Sequence, residues 1–204
     1  MRYGLAVPKK PFHHGNLRAE LLERAEAVLR ERGAEELSLR ELARAAGVSH
    51  GAPRSHFIDR GALLEALAER GFDRLAESIE SAVGPATTAT ASGRDLLRAA
   101  GAAYLDFATQ NPALLALMVA AKVETASGRI HDAAARLFAK MASLVASALG
   151  SPRDAPQLER LTLLLSATVQ GISSLVASGR IPREQGDILL DDAVRVFLAG
   201  ARTK

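Results

Sequence analysis

The stretch Ser38-Leu39-Arg40-Glu41-Leu42-Ala43-Arg44-Ala45-Ala46-Gly47-Val48-Ser49 constrains the fold more tightly than any other part of the chain. Ser38 and Glu41 stand at capping-box spacing, and Leu37 and Leu42 at the positions of a hydrophobic staple, so a short helix is predicted over Leu39–Ala46. Gly47 stops it. Ala43 lies one turn earlier, where a small residue lets a second short helix cross closely, while Leu39, Leu42, Ala46 and Val48 supply the apolar packing. That second helix, capped by Ser49 or His50, is predicted to end near His56 and Phe57. Two short helices joined in this way form a helix-turn-helix, whose second helix enters the major groove of DNA with its N-terminal residues on base edges. Residues 49–57 contain no acid to repel phosphate. Pro53 is the awkward residue: it distorts a helix capped by Ser49 and fits one capped by His50.

The remainder reads as helices separated by glycine and proline. Asn16 is placed to cap a helix with Leu17, Leu21, Leu22, Ala25, Val28 and Leu29 on one face, ended by Gly33. Asp59 is placed to cap a longer helix running to about Val83, with Ile58 and Leu63 as its staple. Residues 85–93 (PATTATASG) read as a linker. Further helices are predicted at about 94–109, 112–124, 128–149, 155–178 and 183–201. Asn111-Pro112, Asp154 with Pro156, and Pro182 mark starts, and Gly150 and Gly179 mark stops. No segment alternates as a strand does and no repeat is visible, so the expected class is all-α.

Charge placement agrees with the motif. The chain carries 26 Lys+Arg against 23 Asp+Glu, and the whole excess falls in residues 1–60, where 11 basic residues face 8 acids. Residues 1–15, with Lys9, Lys10, Pro8, Pro11 and Gly15, read as a flexible basic arm that either reaches a minor groove or stays disordered. No apolar run approaches the ~20 residues of a membrane span, and no signal peptide is visible at the N-terminus. With no cysteine, disulfides and thiolate metal sites are excluded and a reducing cytoplasm is the expected setting. His13, His14, His50 and His56 lack the cysteines or paired carboxylates of a metal site, so neither metal nor cofactor is expected. An enzyme working around Asp106, Glu124 and His131 would need a nucleophile or metal-ligand spacing that the chain lacks.

Residues 37–64 (LSLRELARAAGVSHGAPRSHFIDRGALL) resemble the signature of the TetR/AcrR family of transcriptional regulators, and the likeness extends over about 16–72. The resemblance implies a helix-turn-helix DNA-binding domain at 16–60, followed at 61–204 by a helical ligand-binding and dimerisation domain, with a connecting helix at about 60–83. It implies contacts to a double-stranded DNA operator. Ser38 and Arg40 would touch phosphate, Ser49, His50, Gly51 and Ala52 would face base edges, and Ser55 and His56 would meet backbone or bases. Arg60 stands where the family commonly has lysine, and Arg54 where it commonly has tyrosine; an arginine fork also suits phosphate oxygens. Arg44 is either a weaker phosphate contact or a solvated helix charge. Gly61 is unusual in the first turn of its helix.

Asn111-Pro112-Ala113-Leu114-Leu115-Ala116-Leu117-Met118 resembles a segment of one TetR C-terminal subgroup, although the Trp and His-Gly common in that subgroup are replaced here by Gln170-Gly171 and no Trp. Candidates to line a ligand pocket are Tyr104, Phe107, Leu114, Met118, Phe138, Met141, Leu164, Thr168 and Gln170; for the apolar ones, ordinary core packing is the rival reading. Gln170 lies among Leu164, Leu165, Val169 and Ile172, where a buried amide needs a partner, either a ligand or a hydrogen bond at a dimer seam. Small residues on the last two helices, among them Ala167, Gly171, Ser174, Ala193 and Ala199, suit close pairing with a second copy. The expectation is a homodimeric repressor released from DNA by a small, largely apolar effector. The alternatives are a dimeric DNA-binding regulator without an inducer, or an activator.

Overall fold

The computed structural model describes residues 17–84, 92–124, 128–150 and 154–201. The predicted arm, Asn16 and most of the predicted linker lie outside the described residues. Among these described residues, eight α-helices follow one another: α1 Leu17–Arg32, α2 Leu39–Ala46, α3 Arg60–Val83, α4 Gly93–Gln110, α5 Pro112–Glu124, α6 Gly128–Leu149, α7 Ala155–Ala177 and α8 Arg183–Ala201. No strand occurs among the described residues. Capping, glycine and proline signals located these ends to within a residue or so.

α1 packs on α2, on the turn that follows α2 and on α3, forming a small head. Gly47 closes α2 in the left-handed conformation at φ 69°, which lets Val48 N–H reach back to Ala43 O at 3.0 Å. At the head of α3, Asp59 accepts a hydrogen bond from Ala62 N–H at 2.8 Å. The predicted staple beside it does not form: Leu63 is buried, but Ile58 is 80% exposed. The predicted capping box at α2 is also absent: Ser38 has the extended backbone of a capping residue, but its side chain makes no capping hydrogen bond.

α3, at 24 residues, runs roughly 36 Å and packs along α4, α5 and α6 after leaving the head. One apolar core therefore continues from Leu21, Leu42 and Phe57 in the head through Leu67 and Leu75 on α3 to Phe107 and Ile130 beyond it. A second core joins α4, α6, α7 and α8 through Leu97, Val145, Leu165, Val169 and Val194. Between head and body stands one buried charge. Glu26 of α1, only 7% exposed, accepts a hydrogen bond from Arg74 Nη1 of α3, and Arg70 Nε lies 3.9 Å from its other oxygen. The Arg74 guanidinium sits 6.0 Å from the ring centre of Phe107 on α4. A single arginine thus touches elements of the head, the connecting helix and the body.

Candidate DNA-binding surface and ligand cavity

The predicted second helix of the helix-turn-helix is a 3-10 turn over only Ala52–Ser55. Pro53 accounts for this difference. It has no N–H, and most bonds that form around it are three-residue ones: Ala52 N–H to Ser49 O, Arg54 N–H to Gly51 O, and His56 N–H to Pro53 O, each at 3.0–3.1 Å, with one four-residue bond from Phe57 N–H to Pro53 O at 2.8 Å closing the turn. Neither Ser49 nor His50 caps this turn; Gly51 does, with no side-chain bond. Pro53 and Phe57 are buried and pin the turn to the head, and the Arg18 guanidinium lies 5.4 Å from the centre of the Phe57 ring.

That pinning turns the neighbours outward. Ser49, His50, Gly51, Arg54, Ser55 and His56 are exposed and Ala52 is partly so. Ser55 Oγ donates to Ala52 O at 2.7 Å and so steadies the turn. Arg40 and Arg54 have no ion-pair partner among the described residues, whereas Arg44 faces Glu41 at 4.0 Å. At the N-terminus of α2 the half-buried Ser38 hydroxyl is left unused by its own helix. Arg60, expected at a phosphate-contacting position, also has partners within the chain. Its guanidinium donates to Leu37 O at 3.2 Å and Ala34 O at 2.7 Å, with Glu35 at 3.8 Å. It holds the connection between α1 and α2 against α3.

In the body, helices α3 to α7 surround a cavity of about 250 Å³. Of the nine side chains predicted to line a pocket, Tyr104, Phe138, Met118, Met141 and Gln170 do line it, Gln170 from an exposed position at its rim and not as the buried amide expected. The other four do not. Phe107 and Leu114 are buried in the core next to it, and Leu164 and Thr168 lie on the exposed side of α7, where Thr168 donates to Leu164 O. Helical spacing shows which residues share a face, but which face turns inward depends on neighbouring helices. Phe72, Leu75 and Ile79 of α3 form a wall that sequence reasoning missed, although their i, i+3, i+7 spacing marked an apolar face. Ser166 was missed too; it stands one turn before Gln170.

No charged side chain lines the cavity among the described residues. Burial pushes the Tyr104 phenol further above an ordinary pKa that already lies beyond the physiological range, so it is a neutral donor there. Met118 sits where cavity and connecting helix meet: a Cβ placed on Gly71 of α3 would lie 2.6 Å from its sulfur. No group of His, Asp and Glu suited to a metal occurs among the described residues.

Residues 21–67 match the model of bacterial regulatory proteins of the tetR family, and residues 97–197 match that of a tetracyclin repressor-like C-terminal domain. Among solved structures, a protein of unknown function from Rhodococcus sp. RHA1 is 40% identical, with a TM-score of 0.81 over 94% of this chain and 98% of that one. A tetR-family transcriptional regulator from Streptomyces coelicolor shares the fold at 21% identity, with a TM-score of 0.73 over 93% of this chain and 83% of that one. A TetR-like transcriptional regulator from Rhodococcus sp. RHA1 shares it at 20% identity, with a TM-score of 0.67 over 93% and 100%. No curated protein matches the chain. The family consists of DNA-binding transcription factors rather than enzymes. With its head matched to one family model and its body to the other, the chain belongs to the TetR family of transcriptional regulators.

Proposed function

We propose that the protein is a homodimeric cytoplasmic repressor that leaves its operator when a small, largely apolar ligand fills the cavity between α3 and α7. The observation that carries this reading is the shared helix. α3 begins at Arg60, which anchors the head, and forms a cavity wall at Phe72, Leu75 and Ile79. A ligand that pushes Met118 presses on α3 where Gly71 offers only backbone, and so shifts the head relative to the body. The ligand then favours whichever head spacing it fits best, by its difference in affinity for the two states.

On the DNA side, Arg40, Arg54 and the unused Ser38 hydroxyl meet phosphates, while Ser49, His50, Gly51 and Ala52 face base edges from a turn instead of a full helix, and Ser55 and His56 border them. Arg60 acts as a positioning residue for this surface.

The dimer seam is formed by α7 and α8. Leu163 and Leu164 on α7 are 52% and 57% exposed, and Ile188 and Val196 on α8 are 62% and 64% exposed. Ala167, Gly171 and Ser174 continue the outward stripe of α7, and there is open space over Gly171. Contrary to expectation, α7 is long and apolar enough by composition to cross a membrane. Its Thr162, Ser166, Thr168, Gln170, Ser173 and Ser174 spread polar groups around the helix, which suits a protein seam better than lipid. Two copies paired across this face place two heads on successive major grooves, ~34–36 Å apart.

Fluorescence anisotropy with DNA from upstream of the protein's own gene tests the reading. A dimer whose affinity falls steeply with salt is expected, because phosphate contacts release counterions. A dimer with no salt-dependent binding would contradict it.

A further inference from the structure

We infer that the cavity selects an uncharged ligand with a ring-sized apolar body and one hydrogen-bonding head, read by Tyr104 on α4 together with Ser166 and Gln170 on α7. This rests on the cavity being the effector site proposed above. Three observations lead to it. The wall is apolar on all five helices, with Phe72, Leu75, Met118, Phe138 and Met141 presenting rings, branches and thioethers. No Asp, Glu, Lys, Arg or His lines it among the described residues, so a bound carboxylate or ammonium would lose its hydration without gaining a counter-charge.

The third observation concerns the lining polar groups. Thr162 spends its hydroxyl on Leu158 O at 2.8 Å within its own helix. The Tyr104 hydroxyl, the Ser166 hydroxyl and the Gln170 amide make no side-chain hydrogen bond to the described residues. Ser166 and Gln170 are one turn apart on α7 and so share a face. Tyr104 approaches from α4, which packs directly on α7. Together they offer donors and acceptors but no formal charge.

Size narrows the class further. At about 250 Å³ the cavity exceeds the ~150 Å³ apolar cavity known to admit benzene, so a one- or two-ring molecule, or a short alkyl chain bearing an alcohol, ketone, ester or amide, is the right scale. Met118 and Met141 lend adaptability, since an unbranched thioether can repack around different ring shapes.

A matched series on one ring tests the inference with the full-length protein: naphthalene, 2-naphthalenemethanol, 2-naphthoate and 2-naphthalenemethylammonium, titrated by calorimetry and by thermal shift at neutral pH. The alcohol is expected to bind most tightly, and both ions at least tenfold more weakly. Tyr104→Phe and Gln170→Leu should each weaken the alcohol about three- to tenfold and leave naphthalene nearly unchanged, which also shows that the variant cavity is intact. Naphthoate or the ammonium binding as well as the alcohol would overturn the charge selection. Unchanged alcohol affinity in both variants would overturn the polar reading while leaving the cavity as a ligand site. Failure of both naphthalene and the alcohol to bind would overturn the effector site itself, and this inference with it.

Discussion

The head and the body solve opposite problems. The head is a small core whose job is to hold polar side chains outward: Pro53 and Phe57 face in, and His50, Arg54 and Ser55 face out on the same short turn. The body keeps an interior space open, with five helices meeting around a void they leave unfilled. A filled head tolerates little change in its core, whereas a hollow body can rearrange when something enters. Regulation by a ligand needs both, joined by an element belonging to each. α3 is that element, and the Glu26–Arg74 pair links it to the head through a buried carboxylate.

Breaking that link should have the largest effect. Glu26→Gln leaves Arg74 and Arg70, each about one-third exposed, facing a neutral amide. Stability should fall by about 3 kcal/mol, read from urea unfolding, between the cost of an unmade charged hydrogen bond and that of a broken buried pair. DNA affinity should fall more than the affinity of a cavity probe such as naphthalene. The reverse order would place the pair with the body instead of the head.

A smaller effect is expected at the other junction. Gly71→Ala puts a methyl against Met118, whose flexible end can give way into the cavity. The expected cost is about 1–2 kcal/mol, at the low end for overpacking, with weaker binding of 2-naphthalenemethanol because Met118 takes part of its space. Stability and ligand affinity both at wild-type values would show that Met118 does not couple cavity and connecting helix.

The two regions also differ in how much of them the sequence discloses. The head's elements follow from local chemistry: the glycine at 47, the small residue at 43 and the Asp59 cap each act within a few residues of where they stand. Of the helices predicted in the head, the one ending near His56 and Phe57 departs most from expectation, being a turn at 52–55, and Pro53 points to the difficulty. Ile58 and Ser38 show the limit of that method, since capping and staple patterns mark a helix start without deciding whether tertiary packing uses them. In the body, helix ends were equally legible but the cavity was not. Leu164 and Met118 look alike as apolar residues on helices, yet one is exposed and the other lines the cavity, because that choice is made by the helix packed opposite. The link through Glu26 was hidden for the same reason: an acid on a helix face reads as solvated until an arginine 48 residues later meets it.

The most direct test of the central claim is the salt dependence of upstream-DNA binding for the wild type, Arg54→Ala and His50→Ala, each measured on the native site and on base-substituted copies. If the short turn reads DNA, Arg54→Ala weakens binding across all copies and lowers the slope of log affinity against log salt by about one. His50→Ala instead changes the ranking among copies by roughly 1–3 kcal/mol. Equal, sequence-independent losses with an unchanged slope in both variants would show that residues 49–56 are not the DNA-reading surface.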